Sequence, residues 1–120
     1  FIEHDYEVDG VTIHGHADPE GFMRRTEALP QDAPLIRRIF EADLAAERAA
    51  EQFLLVLPAG IAGHIEAGIA YGMGKPCYAI GALEKTETLY CIFTHVFSDL
   101  RALEHWLRAS TETAANRDSA

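Results

Sequence analysis

The chain has 120 residues, of which 48% are hydrophobic and 24% are charged, and its formal net charge is −9 at pH 7. This composition predicts one globular domain and excludes a largely disordered chain. The acidic balance argues against a nucleic-acid polymer or an anionic membrane as partner, because both bind cationic surfaces.

Cysteine content and hydropathy indicate the compartment. Cys77 and Cys91 are too few for a disulfide scaffold, which is typical of a reducing environment. No apolar segment approaches the roughly 20 residues that a membrane-spanning helix needs, and no signal-peptide pattern is visible. We therefore expect a cytoplasmic protein without membrane association.

The first 17 residues alternate in part between apolar and polar side chains, with Asp9 and Gly10 in the middle. One interpretation is a single strand kinked at Gly10, and the other is a hairpin with an Asp-Gly turn. The next residues include His14 and His16, which bind a metal in one interpretation and form a polar strand end in the other. No partner cluster is obvious elsewhere, so we predict no metal site.

Residues 22–34 are charged and irregular, and Pro30 and Pro34 prevent a continuous helix. This segment predicts a surface loop. Over residues 35–50, apolar residues recur at helical spacing, and acids and arginines fill the other face. Asp43 is the single Asp within this predicted helix, and judged by its surroundings alone it is a solvated residue.

The rest of the chain is organised around residues 53–80. Five apolar residues at 53–57 predict a strand buried on both faces, as in a parallel sheet. A helix beginning near residue 61 leads through a Gly-Lys-Pro loop into a second buried strand at 77–81. This is one βαβ unit, and open sheets of this kind bind ligands beyond the carboxyl ends of their strands.

Glu66 is the single acid of this predicted helix and falls in its first turn or just beyond it. The unpaired backbone N–H groups and the dipole at a helix N-terminus favour an ionised carboxylate there. Glycines such as Gly60 and Gly63 indicate close packing or close approach of a ligand. Their spacing matches neither a dinucleotide-binding nor a P-loop motif, so both kinds of site are excluded.

Three further elements complete the predicted fold: a short helix at 88–93, a short edge strand at 95–97, and a final helix capped by Ser98 or Asp99. Trp106 belongs to the apolar stripe of the final helix, which predicts simple core packing. Residues 110–120 have nothing to bury and are predicted to form a disordered tail. The predicted domain therefore covers residues 1–109.

Motifs in a fixed order carry a resemblance to a known family. Asp43 lies on the helix before a buried strand, and it is followed by LPAG at 57–60, HIEAG at 64–68 and GKP at 74–76. With these motifs, residues 40–107 resemble the nucleoside 2-deoxyribosyltransferase family. The resemblance implies a flavodoxin-like, doubly wound parallel sheet in three α/β/α layers. Family members open with an apolar first strand that is not seen here, so we expect this N-terminal strand to be missing or truncated.

The resemblance also implies a mechanism. Glu66 takes the position of the nucleophile that attacks C1′ of a 2′-deoxynucleoside and holds the sugar as a covalent ester. Asp43 matches the acid that assists proton transfer or orients the nucleophile. Gly60, Gly63 and His64 are assigned to substrate binding. No cofactor is implied.

Three functions follow from this resemblance. The first is transfer of deoxyribose to another base or to water, and the second is hydrolysis of deoxynucleoside 5′-monophosphates with the same chemistry. The third is a non-catalytic nucleotide-binding or sensing module. In each case the partner is a nucleoside or nucleotide. Because sites of this family are completed across subunits, the resemblance also implies a homodimer or a higher homo-oligomer.

Overall fold

The computed structural model describes the backbone of residues 5–8, 11–14 and 17–119, and the side chains of residues 17–111. The chain divides into two compact units, Phe1–Ala49 and Ala50–Ala120. The single domain predicted over residues 1–109 stays a prediction.

The first unit begins with a pair of antiparallel strands, β1 (Asp5–Val8) and β2 (Val11–His14), in which Val8 lies opposite Val11. Of the two interpretations of this segment, the hairpin is confirmed. The predicted Asp-Gly turn and His16 lie outside the described residues, so the metal-binding alternative stays untested.

The predicted surface loop at 22–34 is wrong in its first part, where the structure has helix α1 (Pro19–Glu27). Pro19 occupies the start of this helix, where its missing N–H is no loss. The carboxylate of Asp18 caps the helix by accepting a hydrogen bond from the Gly21 N–H at 3.1 Å. Phe22 anchors the helix because its side chain is fully buried.

Helix α2 (Pro34–Ala49) confirms the helix predicted over residues 35–50. Its Leu35 and Ile39 are buried together with Phe22 and form the core of the first unit. The apolar stripe of α2 therefore packs against α1, and the charged stripe is left to solvent.

The second unit is built on a three-stranded parallel sheet in the order β3-β4-β5, formed by β3 (Phe53–Val56), β4 (Cys77–Ile80) and β5 (Phe93–Phe97). Helix α3 (Ile61–Gly72) connects β3 to β4, and a 3₁₀ helix (Thr88–Ile92) precedes β5. These elements confirm the predicted βαβ unit, and the mixed helix and strand content confirms the α/β class. The prediction that the first strand of the unit is buried on both faces is wrong, because Leu55 of β3 is buried whereas Leu54 is 40% exposed and Val56 is 62% exposed.

The two faces of this sheet pack differently. Towards α3, the core consists of small and apolar side chains: Leu55, Ala67, Ala70, Cys77, Ala79 and Phe93. On the opposite face, the ring of Trp106 lies between 5.0 and 5.6 Å (centroid to centroid) from the rings of Tyr78, His95 and Phe97. This contact confirms that Trp106 packs against the sheet.

Gly81 follows β4 and lies close to the ends of β3 and β5. Its N–H donates to the carbonyl oxygen of Phe97 at 2.8 Å, and its φ of +116° is accessible to glycine but strained for other residues. A β-carbon at this position would lie 3.0 Å from the Leu57 Cβ. The backbone can turn closely past β3 here only because the residue is glycine.

Helix α4 (Leu100–Ser119) ends the described chain. The carboxylate of Asp99 accepts a hydrogen bond from the Ala102 N–H at 2.9 Å, which confirms the predicted cap. The structure does not bear out the disordered tail at 110–120, because α4 continues through Ser119. This segment contains no glycine or proline to end the helix, and its internal hydrogen bonds do not depend on burial. Within the described part of the chain, no helix is both long enough and apolar enough to cross a membrane.

Candidate functional site

A cleft lies at the carboxyl edge of the parallel sheet, between the loops that follow β3 and β4. Its volume is about 190 Å³, and it is lined by Leu57, Pro58, Ala59, His64, Ala82, Leu83, Glu84, Lys85 and Tyr90. A wider depression of about 580 Å³ lies next to the cleft. It is lined by residues 83–87 of the loop that follows β4 and by Tyr90, Cys91 and Phe93. The position is the one that open α/β sheets use for ligands.

Two rings form one wall of the cleft. The imidazole of His64, in the first turns of α3, lies 5.7 Å from the Tyr90 ring between centroids, and the two planes are tilted by 32°. Tyr90 is held in turn by Phe93, whose ring centroid is 6.0 Å away. With Lys85 and Glu84 at its rim, the cleft offers an aromatic surface and both signs of charge. Such a lining suits a small planar polar molecule.

Glu66 does not line this cleft. It lies in the second turn of α3 and is half-buried. Gly63, Ala67 and Ala70 face the sheet, and Glu66 borders this stripe because it is three residues after Gly63 and four before Ala70. His64 borders the other side of the same stripe, because it is two positions before Glu66 and therefore about 200° away from it around the helix. The structure therefore separates the two predicted site residues across α3.

The direction of Glu66 follows from this geometry. His64 reaches Tyr90, which precedes β5, so its side of α3 lies over β4 and β5. The side of α3 that carries Glu66 lies towards the other edge of β3. Among the described strands, none pairs with β3 on that side. Glu66 is in the second turn of α3, so it gains less from the helix dipole than a residue in the first turn does.

The two predicted glycines have different surroundings. A β-carbon at Gly63 would meet the Leu55 Cδ1 at 3.1 Å and the Ala59 Cβ at 3.2 Å, so this glycine lets α3 pack closely on β3. At Gly60, which precedes the first residue of α3, a β-carbon would meet nothing within 4 Å. Its backbone is thus open to approach, while the roles of both glycines in substrate binding stay predictions.

The Gly-Lys-Pro motif lies at the amino edge of the sheet, away from the cleft. Gly74 has a φ of +79°, which glycine adopts readily after a helix. The ammonium of Lys75 donates to the carbonyl oxygen of Ala50, just before β3. In the structure this motif joins α3 to β4 and supports the start of β3.

Asp43 is half-buried on α2 in the first compact unit, whereas Glu66 belongs to the second. Their cooperation in catalysis therefore stays a prediction. Among residues 17–111, whose side chains are described, no group of three or more His, Cys, Asp or Glu residues could hold a metal ion.

Reasoning from the sequence missed Tyr90, Glu84 and Lys85 as lining residues. A usable signal was present for the last two, because they follow the second buried strand of the βαβ unit. The rule that ligands bind beyond the carboxyl ends of strands applies to β4 as well as to β3. No comparable sequence signal pointed to Tyr90. The Tyr90 ring packs against Phe93, and this tertiary contact brings the 3₁₀ helix to the cleft.

No protein-family model matches the chain, and no curated protein matches it significantly in sequence.

Proposed function

We propose that the protein is a nucleoside 2-deoxyribosyltransferase-like enzyme that cleaves the N-glycosidic bond of 2′-deoxynucleosides. The observation that carries the proposal is the position of Glu66, half-buried on the helix that directly follows β3 of a parallel sheet. The motif resemblance over residues 40–107 supports it. The strand order β3-β4-β5 also agrees with the last three strands of a flavodoxin-like sheet, the fold that we propose for the whole domain.

In the proposed first step, the carboxylate of Glu66 attacks C1′ of the deoxyribose. The bond between C1′ and the base nitrogen breaks, its electron pair leaves with the base, and Asp43 supplies the proton that the base takes up. Deoxyribose is then held as an ester on Glu66.

In the second step, a nitrogen of another base attacks C1′ and the ester bond breaks. The carboxylate of Glu66 is restored, Asp43 recovers a proton from the incoming base, and two displacements give net retention at C1′. Water in place of the second base gives hydrolysis, and a 5′-monophosphate substrate would make the protein an N-glycosidase. We place this reaction in the cytoplasm.

One observation favours a second candidate, a non-catalytic nucleotide-binding module. The cleft at the carboxyl edge is lined by His64 and Tyr90 without Glu66, so a ligand can occupy it without meeting the carboxylate. In that case the acid on α3 has no chemical role.

The test is to incubate the protein with deoxyadenosine and free cytosine, and in parallel with deoxyadenosine 5′-monophosphate. Formation of deoxycytidine supports transfer, and release of deoxyribose or its 5-phosphate alone supports hydrolysis. Glu66→Gln keeps the side-chain shape but removes the nucleophile, so we expect a loss of at least about a thousandfold in rate. Glu104→Gln, at an exposed position of α4, is the matched control.

Mass spectrometry of the quenched reaction gives a second measurement. We expect a peptide containing Glu66 to carry the mass of one deoxyribosyl group, and Glu66→Gln to lack it. If the nucleoside binds with equal affinity to both forms and neither turns it over, the enzyme proposal fails and the binding module replaces it.

A further inference from the structure

The size of the cleft at the carboxyl edge of the sheet suits a single nucleobase. Its volume is about 190 Å³, whereas sites for drug-sized ligands enclose about 300–1,000 Å³. The cleft therefore has room for one planar ring system rather than for a whole nucleotide. The wider depression next to it leaves space for the sugar that the base carries.

One wall of the cleft is a stacking surface. The rings of His64 and Tyr90 lie 5.7 Å apart between centroids, with their planes tilted by 32°. Leu57 and Pro58 add apolar lining. Aromatic rings bind the face of any base and hardly distinguish one base from another. Selection among bases must therefore come from polar groups that meet the edge of the ring.

The polar groups at the rim are two consecutive side chains of opposite hydrogen-bonding character. Glu84 and Lys85 both line the cleft and are exposed. Among the described side chains, neither of the two is held by a hydrogen bond or an ion pair, so both can bind a ligand. An ionised carboxylate only accepts hydrogen bonds, through two oxygens side by side, and an ammonium only donates them. A ring that matches both groups has two adjacent donors next to one acceptor.

We propose that the cleft selects guanine and that Glu84 and Lys85 are its specificity-determining residues. On the hydrogen-bonding edge of guanine, the N1–H and the N2 amino group are adjacent donors, and O6 is the acceptor beside them. The carboxylate of Glu84 accepts from both donors and the ammonium of Lys85 donates to O6, while the face of the ring lies against His64 and Tyr90. This inference rests on the proposed function in taking a nucleoside as the ligand, but no step of it uses Glu66.

The other common bases do not match this pair of side chains. Adenine and cytosine each have one amino group beside a ring nitrogen that accepts, so a lone pair faces the second carboxylate oxygen. Thymine and uracil have a single N–H between two carbonyl oxygens, and one of these oxygens faces the carboxylate. A site built from polar groups rejects a ligand that leaves them unpaired more strongly than an apolar pocket rejects a ligand of the wrong shape.

Isothermal titration calorimetry tests the selection with four nucleosides, in a Glu66→Gln background that prevents turnover. Deoxyinosine differs from deoxyguanosine only by the missing N2 amino group, and we expect its dissociation constant to be about three- to tenfold higher. The dissociation constants of deoxyadenosine and thymidine should exceed that of deoxyguanosine by at least about tenfold. Equal dissociation constants for all four nucleosides overturn the proposal.

Two further substitutions in the same background assign the roles. Glu84→Gln removes the charge and one of the two acceptors, so the preference for deoxyguanosine over deoxyinosine should fall below about twofold. Lys85→Met should raise the dissociation constants of both by the same factor, about three- to tenfold, and leave that of deoxyadenosine, which has no O6, unchanged. Glu104→Gln, exposed on α4, is the control. A variant that weakens all nucleosides alike acts through structure, and that result contradicts the assignment.

Deoxyguanosine 5′-monophosphate tests the assignment of Lys85 to O6. Lys85→Met should weaken binding of the monophosphate and of the nucleoside by the same factor. A loss confined to the monophosphate means that the ammonium binds the phosphate, and it overturns the proposal. A flat preference among bases leaves the proposed reaction standing, whereas a clear preference for guanine without turnover leaves this inference standing and removes the reaction.

Discussion

Gly63 of α3 lies so close to Leu55 of β3 that a β-carbon at position 63 would be 3.1 Å from the Leu55 Cδ1. Leu55 is buried in the core, and the same added β-carbon would lie only 3.2 Å from the Ala59 Cβ. The start of α3 is therefore held directly against the sheet. Because His64 and Glu66 follow within three residues, this contact sets the position of both predicted site residues.

Gly63→Ala should consequently destabilise the protein. The added methyl group forces Leu55 or Ala59 to move, at a cost of about 1–3 kcal/mol, and a gain of up to about 1 kcal/mol in helix propensity offsets part of it. We expect the free energy of unfolding to fall by up to about 2 kcal/mol, measured by urea denaturation at low protein concentration. Gly68→Ala, in open space on the same helix, should instead raise it by up to about 1 kcal/mol. Similar changes in both variants would show that α3 does not pack on β3 in this way.

The ring pair of His64 and Tyr90 predicts a binding effect. His64→Ala removes one of the two rings that form a wall of the cleft, and such ring contacts contribute about 0.5–1.5 kcal/mol, so the dissociation constant for deoxyadenosine should rise roughly two- to tenfold. Isothermal titration calorimetry measures this change, and His105→Ala, exposed on α4, is the control. An unchanged dissociation constant would place the nucleoside outside this cleft.

Glu87 predicts a local dependence on pH. Its carboxylate accepts hydrogen bonds from the Leu89 N–H at 3.2 Å and from the Thr88 hydroxyl at 3.1 Å, and these bonds hold its pKa below the ordinary value of 4.5. A lowered pKa in the folded state means that ionised Glu87 stabilises the fold above its unfolded pKa. This stabilisation is lost as pH falls through the folded value.

We therefore expect the amide resonance of Leu89 to titrate with a midpoint below 4.5 in an NMR series. Glu87→Gln should abolish that titration, and any stability difference between the two proteins should disappear at low pH. Glu104→Gln should leave the Leu89 titration as it is. A midpoint at or above the ordinary value would show that Glu87 does not cap the 3₁₀ helix.

The predicted elements that the structure confirms depend on short-range patterns. Apolar residues at 53–57 and 77–81 specify strands, and the spacing over 35–50 specifies a helix, because side-chain periodicity follows directly from backbone geometry. One prediction failed for the opposite reason. Proline and polar composition suggested irregular chain at 22–34, whereas Phe22 is anchored by packing against Leu35 and Ile39. The extension of α4 past residue 110 has a local reason instead, because no glycine or proline ends the helix there.

In the candidate site, too, some features follow from local sequence patterns and others depend on tertiary packing. The sequence by itself determined that a helix with one acid, Glu66, follows an apolar strand, because the apolar runs and the glycine-marked turn are encoded locally. Only the tertiary structure decided which stripe of α3 meets the sheet, since its glycine–alanine stripe and its isoleucine-bearing stripe are both apolar. Close approach of α3 to Leu55 favours the small residues on the inner side. That choice turns Ile61 and Ile65 outward, and it places His64 and Glu66 on opposite sides of the helix.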